Sequence, residues 1–110
     1  MGNLASGQSY RNIGKQKYRI LDSSAFYLYS MNKLVQGEKI ARPQDVYYFS
    51  IKATSPIKEL TMDNLQREFA SNPKFRYAIA SSFRNDRQLI GYDKALGTYK
   101  IEYIYGQSLK

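Results

Sequence analysis

The 110-residue chain contains no cysteine, no histidine and no tryptophan. Without cysteine there is no thiolate nucleophile and no disulfide. Without histidine there is no imidazole acid–base group, and a Cys/His zinc site is excluded. Acidic residues are few: 9 Asp+Glu face 17 Lys+Arg, for a net charge of +8 and a pI near 9.7. Such a balance suits an acidic partner such as nucleic acid or an anionic surface, and it also keeps an ordinary domain in solution. No apolar run approaches the roughly 18 residues that a membrane-spanning helix needs. The polar stretch Met1–Lys17 has no apolar h-region of a signal peptide. Glycines are isolated, so neither GxGxxG nor GxxxxGK[ST] is present and phosphate binding by a glycine loop is not indicated.

What the chain does have is tyrosine. Aromatic residues make up 15%, with Tyr 11 and Phe 5. A chain of this length suits one domain with one hydrophobic core. Met1–Gln16, rich in Gly, Ser, Asn and Gln, reads as a flexible leader ahead of a single domain over 17–110. Its opening MGNLAS fits the Gly2-x-x-x-Ser6 pattern for N-myristoylation, which Arg11, Lys15, Lys17 and Arg19 would assist.

Alternation marks the strands. In DVYYFSIKATSPIKEL, Tyr47, Phe49, Ile51 and Ala53 fall on one face, opposite Val46, Tyr48, Ser50 and Lys52. Thr54-Ser55-Pro56 supplies a turn, and Ile57–Leu60 returns as a shorter strand. Tyr18–Asp22 and Ala25–Met31 read as the first two strands, joined through Asp22-Ser23-Ser24. Gly37-Glu38-Lys39 and Arg42-Pro43 read as loop, with a short strand at Lys33–Gln36.

The period then changes. Thr61 is a helix N-cap, Asp63 faces the helix dipole, and Leu60 with Leu65 forms a hydrophobic staple. Met62, Leu65 and Phe69 make an apolar stripe. Asn72-Pro73 starts a second helix as N-cap and N1, with Phe75, Ile79 and Phe83 on its inner face. A third helix starts at Asn85, with Leu89, Tyr92 and Leu96 on one side and Gly97 at its end. Thr98–Tyr105 returns to period two, with Tyr99, Ile101, Tyr103 and Tyr105 aligned, and predicts a closing strand. The expected fold is α+β: an antiparallel sheet of four to five strands, two to three helices on one face, in the order strands, helices, strand. The expected core joins Tyr47, Phe49, Ile51, Ile101 and Tyr103 to Leu65, Phe69, Phe75, Ile79 and Phe83.

Candidate sites follow from charge and aromaticity. Arg67, Lys74, Arg76, Arg84 and Arg87 lie off the apolar stripes of the central helices. With exposed sheet tyrosines they could hold single-stranded nucleic acid, phosphates on the bases and nucleobases on the phenols. The bland alternative is a solvated helix face, and no RNP-like, KH-type or zinc-finger motif is present. Glu59, Asp63, Glu68, Asp86 and Asp93 are the carboxylates to weigh for acid–base or cation chemistry. Asp63 has a simpler role at a helix start and Glu68 can pair with nearby bases. No catalytic residue, metal site or cofactor is therefore assigned. Tyrosine and arginine are also the residue types enriched at protein interfaces. Three helices cover one face of a small sheet, so Tyr27, Tyr29 and Tyr48 are expected to anchor a protein partner, or a homodimer, on the helix-free face, unless the leader Met1–Gln16 folds across it.

The segment ELTMDNLQREFASNPKFRYAIASSF, followed by YDKALGTYKIEYIYG, resembles the C-terminal part of a loose group of uncharacterised secreted proteins from Bacteroidetes-type bacteria. The matching residues are Glu59, Leu60, Thr61, Phe69, Ala70, Asn72, Pro73 and Phe75, with Tyr99–Tyr105 as an aromatic tail, about half of the chain. The resemblance implies an extracytoplasmic setting and carries no catalytic residues. The reading is a non-enzymatic, macromolecule-binding domain, part of a secreted or envelope-associated protein. The alternative is a basic nucleic-acid-binding module.

Overall fold

The alternating segments pair in chain order. In the computed structural model, which describes residues 9–36 and 41–110, β1 (Ser9–Ile13), β2 (Gln16–Asp22), β3 (Tyr27–Gln36), β4 (Ala41–Ser50) and β5 (Lys58–Glu59) form one antiparallel sheet. Each strand neighbours the next in that sheet. Two helices follow, α1 (Met62–Glu68) and α2 (Pro73–Ser82), then a 3-10 helix (Asp86–Ile90). A short hairpin of β6 (Tyr92–Asp93) and β7 (Thr98–Tyr99) leads into α3 (Lys100–Ser108). The fold is α+β, as expected.

The helix starts are set locally. Thr61 Oγ1 accepts the Asn64 N–H at 3.1 Å, and the flanking Leu60 and Leu65 are both buried, as a hydrophobic staple requires. Asn72 Oδ1 accepts the Phe75 N–H at 3.1 Å ahead of Pro73, whose missing N–H costs nothing in the first turn. Both inner stripes reach the core: Leu65 from α1 with Phe69 just after it, and Phe75 and Ile79 from α2 with Phe83 just after it. They meet Phe26, Leu28 and Phe49 from the sheet.

Several expectations are corrected. Ser9–Ile13, inside the segment read as a flexible leader, is β1. Its turn uses Gly14 at φ +58, a conformation that glycine takes without strain. The Gly2 lipidation pattern lies outside the described residues. Arg42-Pro43 is strand rather than loop: β3, which includes the expected strand Lys33–Gln36, and β4 pair continuously from Tyr27↔Ser50 to Gln36↔Ala41, and Gly37-Glu38-Lys39 lies outside the described residues. β4 stops at Ser50, short of Ala53. There the Ser50 hydroxyl donates to the Lys52 carbonyl at 2.8 Å and the Lys52 N–H donates to Ser55 Oγ at 3.1 Å, closing a turn.

The third helix is one 3-10 segment that ends at Gly91. Leu89 is buried, but Tyr92 and Leu96 are exposed. Asp93 Oδ1 takes the Leu96 N–H at 3.0 Å, and Gly97 at φ +70 closes a strand turn rather than a helix. The largest departure is at the C-terminus, where only Thr98–Tyr99 is strand. The residues after it form α3, because Ile101, Ile104 and Tyr105 share a helical face that the core can take. Tyr103, expected inside, points outward at 43% exposure.

α3 also buries Glu102, whose Oε1 accepts the Ser24 hydroxyl at 3.2 Å while Oε2 has no partner. The Ser24 hydroxyl lies 2.7 Å from Asp22 Oδ2 as well, so one proton faces two carboxyl groups. A buried polar atom left without a partner costs about 1–3 kcal/mol. The helix N-terminus returns about 0.3–1 kcal/mol, so burial dominates at this position.

Two outcomes follow, both read by urea denaturation. Ile79→Ala should cost about 2–5 kcal/mol, and a loss below about 0.5 kcal/mol would mean that α2 does not bury this face. Glu102→Gln, which removes the charge and keeps the Ser24 acceptor, should be at least as stable as the parent at neutral pH. A loss above about 1 kcal/mol would show that the negative charge at the start of α3 is required.

Candidate functional site

β4 is longer than the strand beside it. β5 covers only Tyr48 and Phe49, and one further bond runs from the Leu60 N–H to the Tyr47 carbonyl at 2.9 Å. Thr61 then caps α1 and the chain turns away. Because the Tyr47 carbonyl faces β5, the odd-numbered residues of β4 direct their backbone groups outward and the even-numbered ones bond β3. Pro43 occupies an outward position, where its missing N–H leaves the β3 ladder intact. Between Pro43 and Tyr47 the outward groups are the Pro43 carbonyl, both polar groups of Asp45 and the Tyr47 N–H. Among the described residues no strand lies beside them.

A groove of about 580 Å³ runs along this open edge. Both faces of β4 contribute, Gln44, Val46 and Tyr48 from one and Asp45 and Tyr47 from the other. Glu59 and Leu60 close one end, and Asp86, Arg87 and Ile90 of the 3-10 helix form the wall on the helical side. Its floor is apolar and its rim is charged with both signs. Lys33 stands over the Tyr48 ring, with Nζ 5.5 Å from the centroid. The hydrogen bond with the Tyr48 side chain holds the Lys33 ammonium above its ordinary pKa, with smaller help from Glu59. On the helical side Asp86 Oδ1 accepts the Met62 N–H at 2.9 Å, which ties the wall to the start of α1.

Of the sequence-predicted binding residues, Tyr48 and Arg87 line this groove. The others lie elsewhere. Arg67 and Arg84 are exposed on α1 and after α2. Lys74 donates to the Lys110 carbonyl at 2.9 Å, and Arg76 Nε donates to Gln66 Oε1 at 2.8 Å, so both are engaged within the helical layer. Tyr27 is half-buried and stacks on Tyr29, with centroids 6.1 Å apart.

Tyr29 is fully buried, although the sequence places it on an open face. The cause is β1. Arg11 reaches across β2 and donates to the Tyr29 hydroxyl at 3.2 Å and to Ser50 Oγ at 3.3 Å, while the two hydroxyls lie 2.7 Å apart. Tyr18 packs edge-on against both Tyr29 and Tyr48, with centroids at 6.0 and 5.2 Å. Met31 is buried on the same face. The helix-free face thus covers its own centre.

Sequence reading missed Lys33, Val46, Tyr47, Leu60, Asp86 and Ile90 as groove residues. One signal was present: a proline in an otherwise alternating strand argues for an edge. Three of the carboxylates weighed for chemistry have local duties, Asp63 in the first turn of α1 and Asp86 and Asp93 accepting backbone N–H groups. Among the described residues no group of three or more Asp or Glu is placed to hold a metal ion, and no helix is long and apolar enough to cross a membrane. Comparison of the chain with family models, with curated proteins and with solved structures finds no match.

Tyr29→Phe removes the central hydroxyl of the Arg11–Tyr29–Ser50 knot and should lower stability by about 1 kcal/mol. A change below about 0.3 kcal/mol by chemical denaturation would show that the knot contributes nothing net.

Proposed function

We propose that the chain is a non-enzymatic binding module whose ligand is another polypeptide, taken in the groove along the open edge of β4. The observation that carries this reading is the combination of unpartnered backbone groups with an apolar floor at one place. Ile90, Val46 and Tyr47 offer contact area there, with the buried Leu60 behind them, and Tyr48 and Arg87 are residue types that commonly anchor interfaces.

Charge separates this reading from the nucleic-acid alternative. The protein as a whole carries +8, but the groove rim holds Asp45, Glu59 and Asp86 against Lys33 and Arg87. Phosphates gain little from a site with more carboxylates than bases. Self-association through the helix-free face also finds less support, since Tyr29 and Met31 are buried there. An extracytoplasmic setting is carried by the resemblance to secreted bacterial proteins, and it fits a module that meets other proteins in an envelope.

The test is selection of linear peptides from a display library on the full chain, followed by amide-shift mapping of a selected peptide. Shifts should concentrate at Asp45, Tyr47, Leu60 and Arg87. Failure to select any peptide would overturn the reading, as would shifts confined to the β1–β2 hairpin or the outer helix faces. Salt-dependent binding of mixed oligonucleotides, weakened alike by Arg76→Ala and Arg84→Ala, would favour the nucleic-acid module instead.

A further inference from the structure

The proposal of a polypeptide ligand leaves open how it is held, and on that reading the geometry of β4 narrows the answer. The backbone groups that face the groove alternate with groups already used by β3. Leu60 donates to Tyr47 at one end of the open stretch, so β5 has begun a ladder that the chain abandons as α1 starts. The next pair in that ladder falls on Asp45, whose N–H and C=O both point out. Pro43 ends the donor row one pair further on. The open stretch is therefore a short, defined gap in a sheet.

We infer that the groove takes an extended peptide that adds to β4 as an antiparallel strand in line with β5, doubly hydrogen-bonded to Asp45. Strand addition at an exposed edge draws affinity from main-chain bonds and specificity from alternate side chains. A peptide residue opposite Asp45 shares that residue's face of the sheet. It meets Tyr47, Leu60 and Ile90, with Arg87 at the rim, and this calls for an apolar or aromatic side chain. Its two neighbours turn to the other face, beside Val46, Tyr48 and Lys33. Hydroxyl-bearing or small residues suit that side, where the Tyr48 hydroxyl and the Lys33 ammonium are polar neighbours.

A second copy of the chain is a poor occupant of the same edge. Two β4 strands related by a two-fold axis at Asp45 would set like charges directly opposite each other, which destabilises a strand pair. They would also set Pro43, with no N–H, against Tyr47. Proline and inward or edge charges are the devices by which proteins discourage edge-to-edge pairing. They block pairing with itself while leaving Asp45 open to a shorter strand.

The probe is an acetylated, amidated peptide alternating threonine and valine around one central phenylalanine, titrated into the full chain by amide-shift NMR. Binding should shift Asp45 and Tyr47. N-methylation of the phenylalanine amide should weaken binding about tenfold or more, because the donor to the Asp45 carbonyl is lost. N-methylation of the next amide, which points away from β4, should change affinity less than about twofold. Asp45→Pro removes the matching outward N–H without touching the β3 ladder and should abolish binding. Its circular dichroism should match the parent's, and the peptide series stands independently if this variant does not fold. Groove binding that is equally sensitive, or equally insensitive, to both N-methyl positions would overturn strand addition while leaving the polypeptide-binding reading standing. No binding of the probe at millimolar concentration would overturn strand addition as well. Selected library peptides that bind away from the groove would overturn both.

Discussion

The docking of α1 onto the sheet is the constraint on which the rest of the structure depends. Leu60, Leu65 and Phe69 must all reach a core already occupied by Phe26, Leu28 and Phe49. The rings interlock: Phe69 meets Phe75 edge-on with centroids 4.7 Å apart, and Tyr105 of α3 reaches both at 5.4 and 5.1 Å. Each large buried side chain of this kind is worth about 1.5–3 kcal/mol over exposure. Continuing β5 along β4 would forfeit that burial for a few ladder bonds, each worth about 1 kcal/mol net. The chain therefore leaves β4 after Glu59, and the open edge is a consequence of the core. Fold and candidate site have one cause.

Charge on this molecule is widespread rather than focused. The β1–β2 hairpin carries Arg11, Lys15, Lys17 and Arg19, yet Arg11 is turned inward to the tyrosine–serine pair and Lys17 lies over the Tyr10 ring at 4.3 Å. Within the helical layer Lys74 and Arg76 bond to a carbonyl and an amide oxygen. A net charge of +8 so distributed serves solubility and steers association in general. The β4 groove has a mixed rim and an apolar floor, which is the chemistry of protein contact.

What was legible in the sequence was local. Thr61 and Asn72 announce their helices because a cap is read from a few adjacent residues, and the staple of Leu60 and Leu65 fixes the entry of α1. α3 was not legible. Tyr99, Ile101, Tyr103 and Tyr105 satisfy a strand period, while Ile101, Ile104 and Tyr105 satisfy a helical one, and β-branched and aromatic residues tip the reading towards strand. Packing against α2 and the core decides it, and packing is not in the local pattern. β1 escaped notice because its residues are polar and its role is to carry Arg11 over the sheet. That the leader folds across the helix-free face was among the readings the sequence allowed, but its means was hidden, since burial of Tyr29 depends on a residue eighteen positions earlier. Pro43 was read as a break when it marks an edge. The groove became visible only when the edge, the abrupt end of β5 and the 3-10 wall were placed together.

Residue-resolved amide hydrogen exchange on the free protein tests the central claim most directly, because it reports which backbone groups of β4 lack a partner. Val46 and Tyr48, bonded to β3, should be protected to the level of global unfolding. Asp45 and Tyr47 should exchange orders of magnitude faster, giving an alternating pattern along one strand. Uniform protection from Gln44 to Tyr48 would mean that the edge of β4 is already covered, and the account of an open strand awaiting a peptide would be wrong.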